Sequence, residues 1–264
     1  AAPNLTGDVF VKVDTYGGFA CGVRKSGKLE CWGYDTDGST TPPAGSFSEV
    51  SVASQFACAL RTNKTVACWG KKTPVSTPPT TGTYTQLDIS HELACALRSD
   101  NYVVCWGGAS PPYTKFTSIT VGNKHACGIK PDQTVACWGD NNDGQATPPS
   151  GPFVAIEAGG YHTCGLRGIG FAQCWGRSSQ GQTAAPAISI SKLAAGENTS
   201  CAIQNGGKLT CWGYNNTTYG NAMPPGGAFT WATIGSSLGC GIRVNGSLHC
   251  WGYNKNGACA TPAP

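Results

Sequence analysis

Large apolar residues recur along the chain at fixed distances from cysteine. Eleven residues before each of seven cysteines stands Phe10, Phe47, Tyr84, Phe116, Phe153, Ile190 or Phe229, and eight before it Val13, Val50, Leu87, Ile119, Ile156, Leu193 or Ala232. Short apolar segments bounded by turn residues mark buried strands, so one inner strand is predicted per unit. The cysteines themselves, Cys21, Cys58, Cys95, Cys127, Cys164, Cys201 and Cys240, are each followed ten residues later by Cys31, Cys68, Cys105, Cys137, Cys174, Cys211 or Cys250, which opens Cys-Trp-Gly. Between them a stretch such as Cys21-Gly22-Val23-Arg24, the loop Lys25-Ser26-Gly27 and Lys28-Leu29-Glu30-Cys31 reads as a hairpin. The third loop residue should adopt positive φ; it is Gly27, Lys64, Asn101, Gln133, Gly170, Gly207 and Gly246, five of them Gly or Asn.

That loop sets a register in which Val23 faces Leu29, Cys21 faces Cys31 and Trp32 faces Ala20. Directly opposed residues of a non-hydrogen-bonded pair lie about 4.5 Å apart at Cα, within reach of a disulfide, so one disulfide is predicted inside each hairpin. The partners facing the other tryptophans, Ala57, Ala94, Ala126, Thr163, Ser200 and Gly239, are all small, which makes the indoles framework rather than ligand platforms. First cysteines are spaced 37, 37, 32, 37, 37 and 39 residues apart, the short interval coming from the clipped linker Gly107-Gly108-Ala109-Ser110-Pro111. The first and seventh units carry the full pattern, whereas an open array needs atypical polar caps. An all-β, seven-bladed propeller of short repeats, one domain over residues 1–264, is expected. The turn-rich stretches after each Trp, such as Gly33–Gly38 and Pro42-Pro43, leave three or four strands per blade open.

Composition narrows the setting. The chain holds 37 Gly, 17 Pro and 15 Cys with a net charge of +4 and no basic run longer than Lys71-Lys72, so it lacks the footprint for nucleic acid or an anionic membrane. Paired cysteines suit an oxidising, extracellular compartment. Sequons at Asn4, Asn63, Asn198, Asn215, Asn216 and Asn245 make these N-glycosylation candidates. No apolar run approaches about 18 residues and no signal-like segment opens the sequence, so a mature, secreted form without membrane insertion is expected.

The motifs Gly-Tyr-His-Thr-Cys-Gly-Leu-Arg at 160–167, Cys-Trp-Gly at 174–176 and Asp-Asn-Asn-Asp-Gly-Gln at 140–145 resemble the regulator of chromosome condensation repeat. The resemblance spans the chain and implies a seven-bladed propeller. The cysteine-paired form is similar to the extracellular repeats of plant crinkly-type receptor kinases, and the short period resembles the bacterial propeller that inhibits β-lactamases. Nuclear members act on a small GTPase and chromatin, but their repeats are longer and lack the stapling cysteines, so no functional residue carries over.

Catalytic chemistry is sparse. His125 and His162 stand two before a first cysteine, where other repeats have Phe19, Phe56, Leu93, Thr199 and Leu238; interchange with apolar residues argues packing, and no Ser or carboxylate recurs as a partner. Cysteines ten apart lack the zinc knuckle spacing, and the Asp140–Gly144 and Asp35–Gly38 loops read as turns rather than calcium sites. Arg24, Arg61, Arg98, Lys130, Arg167 and Arg243 recur three residues after a first cysteine; their stems are expected to cover neighbouring blades with solvated heads. Tyr34, Tyr214, Tyr219 and Tyr253, at or near the exit of Cys-Trp-Gly, are surface-binding candidates or framework. These features suggest a non-catalytic, cofactor-free secreted glycoprotein, a rigid scaffold for an extracellular protein or glycan. The unpaired Cys259, an intermolecular candidate, raises a second possibility: a subunit that assembles with further copies of itself into a polymer or coat. A secreted hydrolase is the third.

Overall fold

The computed structural model describes residues 7–215, 220–254 and 257–262. Its strands form seven three-stranded antiparallel sheets, each built from consecutive segments. The first blade comprises Phe10–Tyr16, Phe19–Arg24 and Leu29–Gly33, and the seventh Phe229–Ile234, Leu238–Arg243 and Leu248–Gly252. The open question of strand number is thereby answered at three. Linkers rich in Pro and poor in apolar residues add only a 3-10 turn at Pro74–Ser76 among the described residues.

Hairpin register follows the loop chemistry. Cys21 pairs with Cys31, Ala20 with Trp32 and Val23 with Leu29, and the third loop residue has positive φ even where it is Lys64 (69°), Asn101 (72°) or Gln133 (66°). Each hairpin is crosslinked, with Cα atoms 4.0 Å apart in the first and the seventh alike.

Middle strands are buried throughout, as in Phe19–Arg24, or at all but their last residue, as in Ala94–Arg98, because each blade stacks on the next. Phe19, Cys21, Val23 and Leu29 of the first blade share a core with Phe47, Val50, Val52 and Trp69 of the second, and the seventh and first blades meet in the same way through Leu238, Ile242, Phe10, Val13 and Trp32. Among the described residues no strand is shared across that seam. It is closed by side chains: Trp231 Nε1 donates to the Val13 carbonyl at 3.0 Å and Thr233 Oγ1 to Asp14 Oδ1 at 2.7 Å.

Arg98 keeps the expected exposed head, paired with Asp100 at 2.6 Å, but four other recurrent arginines depart from the expectation. Arg24, Arg61, Arg167 and Arg243 lie over Phe10, Phe47, Phe153 and Phe229 of their own blades, at 3.8–5.2 Å from the ring centroids. Arg24 donates to the Asp8 carbonyl at 2.6 Å, Arg61 to Ala44 at 2.8 Å and Arg167 to Ser150 at 2.8 Å. Carbonyls of the segment entering the blade therefore take up the heads. Gly22 leaves room beneath this stack, since a Cβ there would approach the Phe10 ring to 2.6 Å unless the ring shifted.

Candidate functional site

The linkers leave the outer strand at Cys-Trp-Gly, and six of the seven are pinned at two points. At the start of these six, the residue after this motif donates its backbone N–H to the loop between inner and middle strands: Tyr34 to Gly18 at 2.9 Å, Lys71 to Gln55 at 3.0 Å, Asp140 to Lys124 at 2.8 Å, Arg177 to Tyr161 at 2.9 Å, Tyr214 to Asn198 at 2.8 Å and Tyr253 to Ser237 at 2.9 Å. The backbone is thus fixed while the side chain changes from aromatic to cationic to acidic. Tyr34 is 52% and Tyr214 40% exposed, so the tyrosines combine the two roles open in the sequence: framework in their backbone, surface in their rings. Tyr253 is partly buried, and Tyr219 lies outside the described residues.

Further along, the linker passes a glycine of positive φ, as at Gly38 (77°), Gly144 (79°) and Gly181 (77°), and then buries Ser39, Gln145 or Gln182 completely. The carbonyl of that buried residue receives the indole N–H of the next blade. Trp69 donates to Ser39 at 2.8 Å, Trp106 to Val75 at 2.6 Å, Trp175 to Gln145 at 2.9 Å, Trp212 to Gln182 at 2.9 Å, Trp251 to Asn221 at 3.0 Å and, across the seam, Trp32 to Ala258 at 3.0 Å. The recurrence of Gly followed by Ser, Gln, Asn or Ala after Trp-Gly was the available signal. The exception is Trp138, served by the clipped linker, whose buried Nε1 has no acceptor among the described residues.

His125 and His162 lie wholly buried in the walls between blades. His125 Nε2 is 2.8 Å from Thr163 Oγ1 and His162 Nε2 is 2.8 Å from Ser200 Oγ. Those hydroxyls donate to the Gln145 and Gln182 carbonyls, so they accept from Nε2–H, and each imidazole is neutral with its lone pair on Nδ1. Burial depresses the pKa of His125 to about 4 and of His162 to about 3. Their hydroxyl partners, committed to carbonyls, lock blade to blade.

Inner strands line a central channel of about 330 Å³. Asp14 Oδ2 accepts from Val52 N at 2.7 Å, Ser51 Oγ from Ile89 N at 3.1 Å, Asp88 Oδ2 from Val121 N at 2.7 Å and Thr120 Oγ1 from Ala158 N at 2.8 Å. Four successive inner strands thus each hand one side-chain acceptor to the next. Glu157 stands at the same position, opposite Cys164, but is one methylene longer than aspartate and accepts no hydrogen bond from a described residue. Desolvation, reinforced by neighbouring carboxylates, raises Asp88 to about 7 and Glu157 to about 8. At one mouth Tyr16 Oη and Asn123 Nδ2 donate to the two oxygens of Glu197 at 2.7 and 2.8 Å, bridging the first, sixth and fourth blades. Elsewhere on the wall Lys12 pairs with Glu49 at 3.6 Å and stands 4.6 Å from the Trp231 ring. These contacts make the channel wall a structural belt. Among the described residues no three His, Cys, Asp or Glu side chains converge as metal ligands.

Of the sequons, Asn63 and Asn245 are exposed on hairpin loops, where each Oδ1 accepts from the hydroxyl of Thr65 or Ser247 at 2.7 Å. Asp132 accepts from Thr134 in the same geometry, so these asparagines also serve as turn residues. Asn215 is exposed, Asn198 is partly buried, and Asn4 and Asn216 fall outside the described residues. Cys259, free and partly buried, packs beside the seam core, and burial raises its thiol pKa. Sequence reasoning missed Tyr113, which is 91% exposed and stacks on Tyr102 at 4.7 Å. No described helix is long and apolar enough to cross a membrane.

The regulator of chromosome condensation (RCC1) repeat matches residues 116–145, 153–182 and 190–220, the fourth to sixth blades. No curated protein sequence matches the chain. Among solved structures, the ectodomain of the Physcomitrella patens receptor kinase CR4 is 29% identical with a TM-score of 0.80, over 93% of this chain and 74% of that one. The CRINKLY WD40 ectodomain of the Arabidopsis thaliana receptor kinase ACR4 shares the fold at 24% identity and a TM-score of 0.81, over 95% and 97% of the two chains. Prp20p from Saccharomyces cerevisiae shares it more distantly, at 15% identity and 0.60, over 95% and 73%. This chain is a seven-bladed propeller that carries one disulfide in every blade, and three of its blades match the regulator of chromosome condensation repeat.

Proposed function

We propose that residues 1–264 act as one secreted propeller domain, a non-catalytic scaffold that binds an extracellular protein or glycan through its linker face. The carrying observation is the set of positions after Cys-Trp-Gly, where Tyr34, Lys71, Asp140, Arg177, Tyr214 and Tyr253 occupy equivalent, hydrogen-bonded backbone sites with unlike side chains. A fixed frame presenting variable residues is how rigid scaffolds carry recognition. Likeness to two receptor-kinase ectodomains and a disulfide in each hairpin support an extracellular setting. Glycosylation at the exposed Asn63, Asn215 and Asn245 belongs to the same reading. The test is a glycan array together with pull-down from extracellular extracts, using the intact chain and a Tyr34→Ala/Tyr214→Ala variant. Capture that the double variant loses supports the reading; capture that it retains moves the contact off these tyrosines.

A second reading, self-assembly, rests on Cys259, which no cysteine of its own chain pairs. It expects a disulfide-linked species on non-reducing electrophoresis that Cys259→Ser removes.

A further inference from the structure

Inner-strand starts and hairpin loops share one end of the ring, since Phe10 pairs with Arg24 there while Tyr16 pairs with Phe19 at the other. At the hairpin end the fifth blade departs from the others at three positions. The residue after Phe153 and its equivalents is Ser or Thr in five blades, where the hydroxyls of Ser48, Thr85, Thr117, Ser191 and Thr230 donate to a middle-strand carbonyl at 2.9–3.4 Å; here it is Val154. The middle loop residue is Ser26, Asn63, Asp100, Asp132 or Asn245 in five blades, each accepting from the backbone N–H two residues on; here it is Ile169. The first residue after the loop is Lys, Thr, Tyr or Ser elsewhere and Phe171 here. Ile169 is 79%, Val154 53% and Phe171 43% exposed. They form one patch: a Cβ on Gly168, the residue before Ile169, would lie 3.8 Å from Val154 Cγ1, and the Phe171 carbonyl closes the loop by accepting from Arg167 N at 2.9 Å. The Arg167 head is engaged elsewhere, over Phe153 at 3.8 Å and on the Ser150 and Pro152 carbonyls. Polar positions that shape this end of the other blades are thus given over to exposed apolar side chains at a single convex tip, which marks a contact surface.

Charge is distributed as unevenly. No basic run along the chain exceeds Lys71-Lys72, yet folding gathers a basic face from scattered positions. The hairpins, from the third residue after each first Cys to the residue before the second, together with the two residues before Phe10 and its equivalents, hold eleven of the eighteen Lys and Arg but four of the fourteen Asp and Glu. Those four are engaged within their own blades: Asp8 accepts from Ser26, Glu30 pairs with Arg24 and Lys28, Asp100 pairs with Arg98, and Asp132 accepts from Thr134. The fifth and sixth blades have no carboxylate at this end, where Lys130, Arg167 and Lys208 stand on the fourth, fifth and sixth.

We infer that the hairpin face docks on an anionic lipid surface, with Ile169 and Phe171 reaching the acyl boundary and the surrounding lysines and arginines meeting the headgroups. Apolar side chains set among cations are what a peripheral, interfacial contact uses, its strength coming from buried apolar area and from attraction to anionic lipid. This is contact with a surface, not a span across it. A projecting aliphatic loop enters a fluid phase without a matching cavity, whereas a folded partner would have to supply one. The exposed hairpin sequons, Asn63 and Asn245, stand on the second and seventh blades and none stands on the fifth or its two neighbours. Docked in this way the propeller turns its linker face, with Tyr34 and Tyr214, away from the membrane. The contact goes beyond the scaffold reading and does not depend on it.

The experiment floats the full chain with vesicles of phosphatidylcholine alone, or of phosphatidylcholine and phosphatidylserine in about equal parts. The mixed vesicles should carry the protein, phosphatidylcholine alone should not, and added salt should release it. Ile169→Asn installs the loop residue of the second and seventh blades without a change of charge. It should keep or raise the unfolding midpoint and weaken vesicle binding about tenfold, the scale of burying one aliphatic side chain. Phe171→Thr and the Lys130→Glu/Lys208→Glu pair should each weaken it as well. The inference is overturned if mixed vesicles do not carry the protein, or if they carry Ile169→Asn equally well. Binding of heparin without binding of vesicles would overturn it in favour of an acidic glycan, and capture of a soluble protein through Ile169 without binding of vesicles would overturn it in favour of a protein partner. The Tyr34→Ala/Tyr214→Ala variant should float like the parent, so failure of the scaffold reading and failure of this one are read separately.

Discussion

The carbonyl of Ser39 and the indole of Trp69 are joined at 2.8 Å across thirty residues of chain, so the linker of one blade is fastened by the tryptophan of the next. Trp69→Phe keeps the ring but strands a buried carbonyl, and should cost about 1–2 kcal/mol. Trp138→Phe removes a buried donor that has no acceptor among the described residues and should be neutral or slightly stabilising. Denaturant unfolding of the two variants side by side decides; equal losses would contradict the assignment of Trp138 as the unfastened indole.

Removing one staple should be felt blade by blade. The Cys127→Ala/Cys137→Ala variant opens a crosslink of sequence separation 10, and in the chain-entropy account it should lose about 2–3 kcal/mol. Peptide mapping without reductant should recover each pair within its own hairpin, and any link between blades would refute the register.

The channel carboxylates predict a fall in stability on the alkaline side. Glu157 and Asp88 are raised to about 8 and about 7, so the folded state holds protons that the unfolded chain, titrating near 4, releases. Their contribution is full below about pH 4 and is lost progressively as pH rises from there through the folded values of about 7 and about 8. Glu157 accepts no hydrogen bond from the described residues, whereas Asp88 accepts from Val121, Ile89 and Ser51, so Glu157 should dominate. Melting temperature should drop between pH 6.5 and 9 in the parent and be flatter in Glu157→Gln. Parallel curves would rule Glu157 out as the source.

The buried histidines act with the opposite sign. Their folded pKa values, about 4 and about 3, lie below the unfolded 6.5, so stability is present above pH 6.5 and lost as pH falls towards 3. Substitutions drawn from the other blades, His125→Phe and His162→Leu, should reduce the acid-side loss even where they cost some stability at pH 7. An unchanged acid limb in the double variant would place the loss elsewhere.

Side chains with a periodic role were legible. The loop ending in Gly27 fixes Cys21 opposite Cys31, and the small residues facing each Trp follow from the same register. The indole acceptors were marked only by the glycine that precedes most of them, because a backbone carbonyl leaves no residue-specific mark of its own: Ser39, Val75, Gln145 and Asn221 do the same work with unlike side chains. The channel belt was hidden for a related reason. Its equivalent positions read Asp14, Ser51, Asp88, Thr120, Glu157, Ala194 and Thr233, and what unites the acceptors among them is a bond to the neighbouring strand rather than a residue type. The arginine heads misled because the carbonyls they meet lie in loops whose path the pattern does not determine.

Every crosslink lies inside a blade and none crosses a seam. Under mechanical load the ring should therefore part first at the side-chain seam between the seventh and first blades. It would then pay out length blade by blade, each hairpin withholding the segment between its two cysteines until a reductant cuts the bond. Because those hairpins stay closed in the stretched chain, refolding after release would begin from local pieces already in register, with only neighbour-to-neighbour docking left to complete.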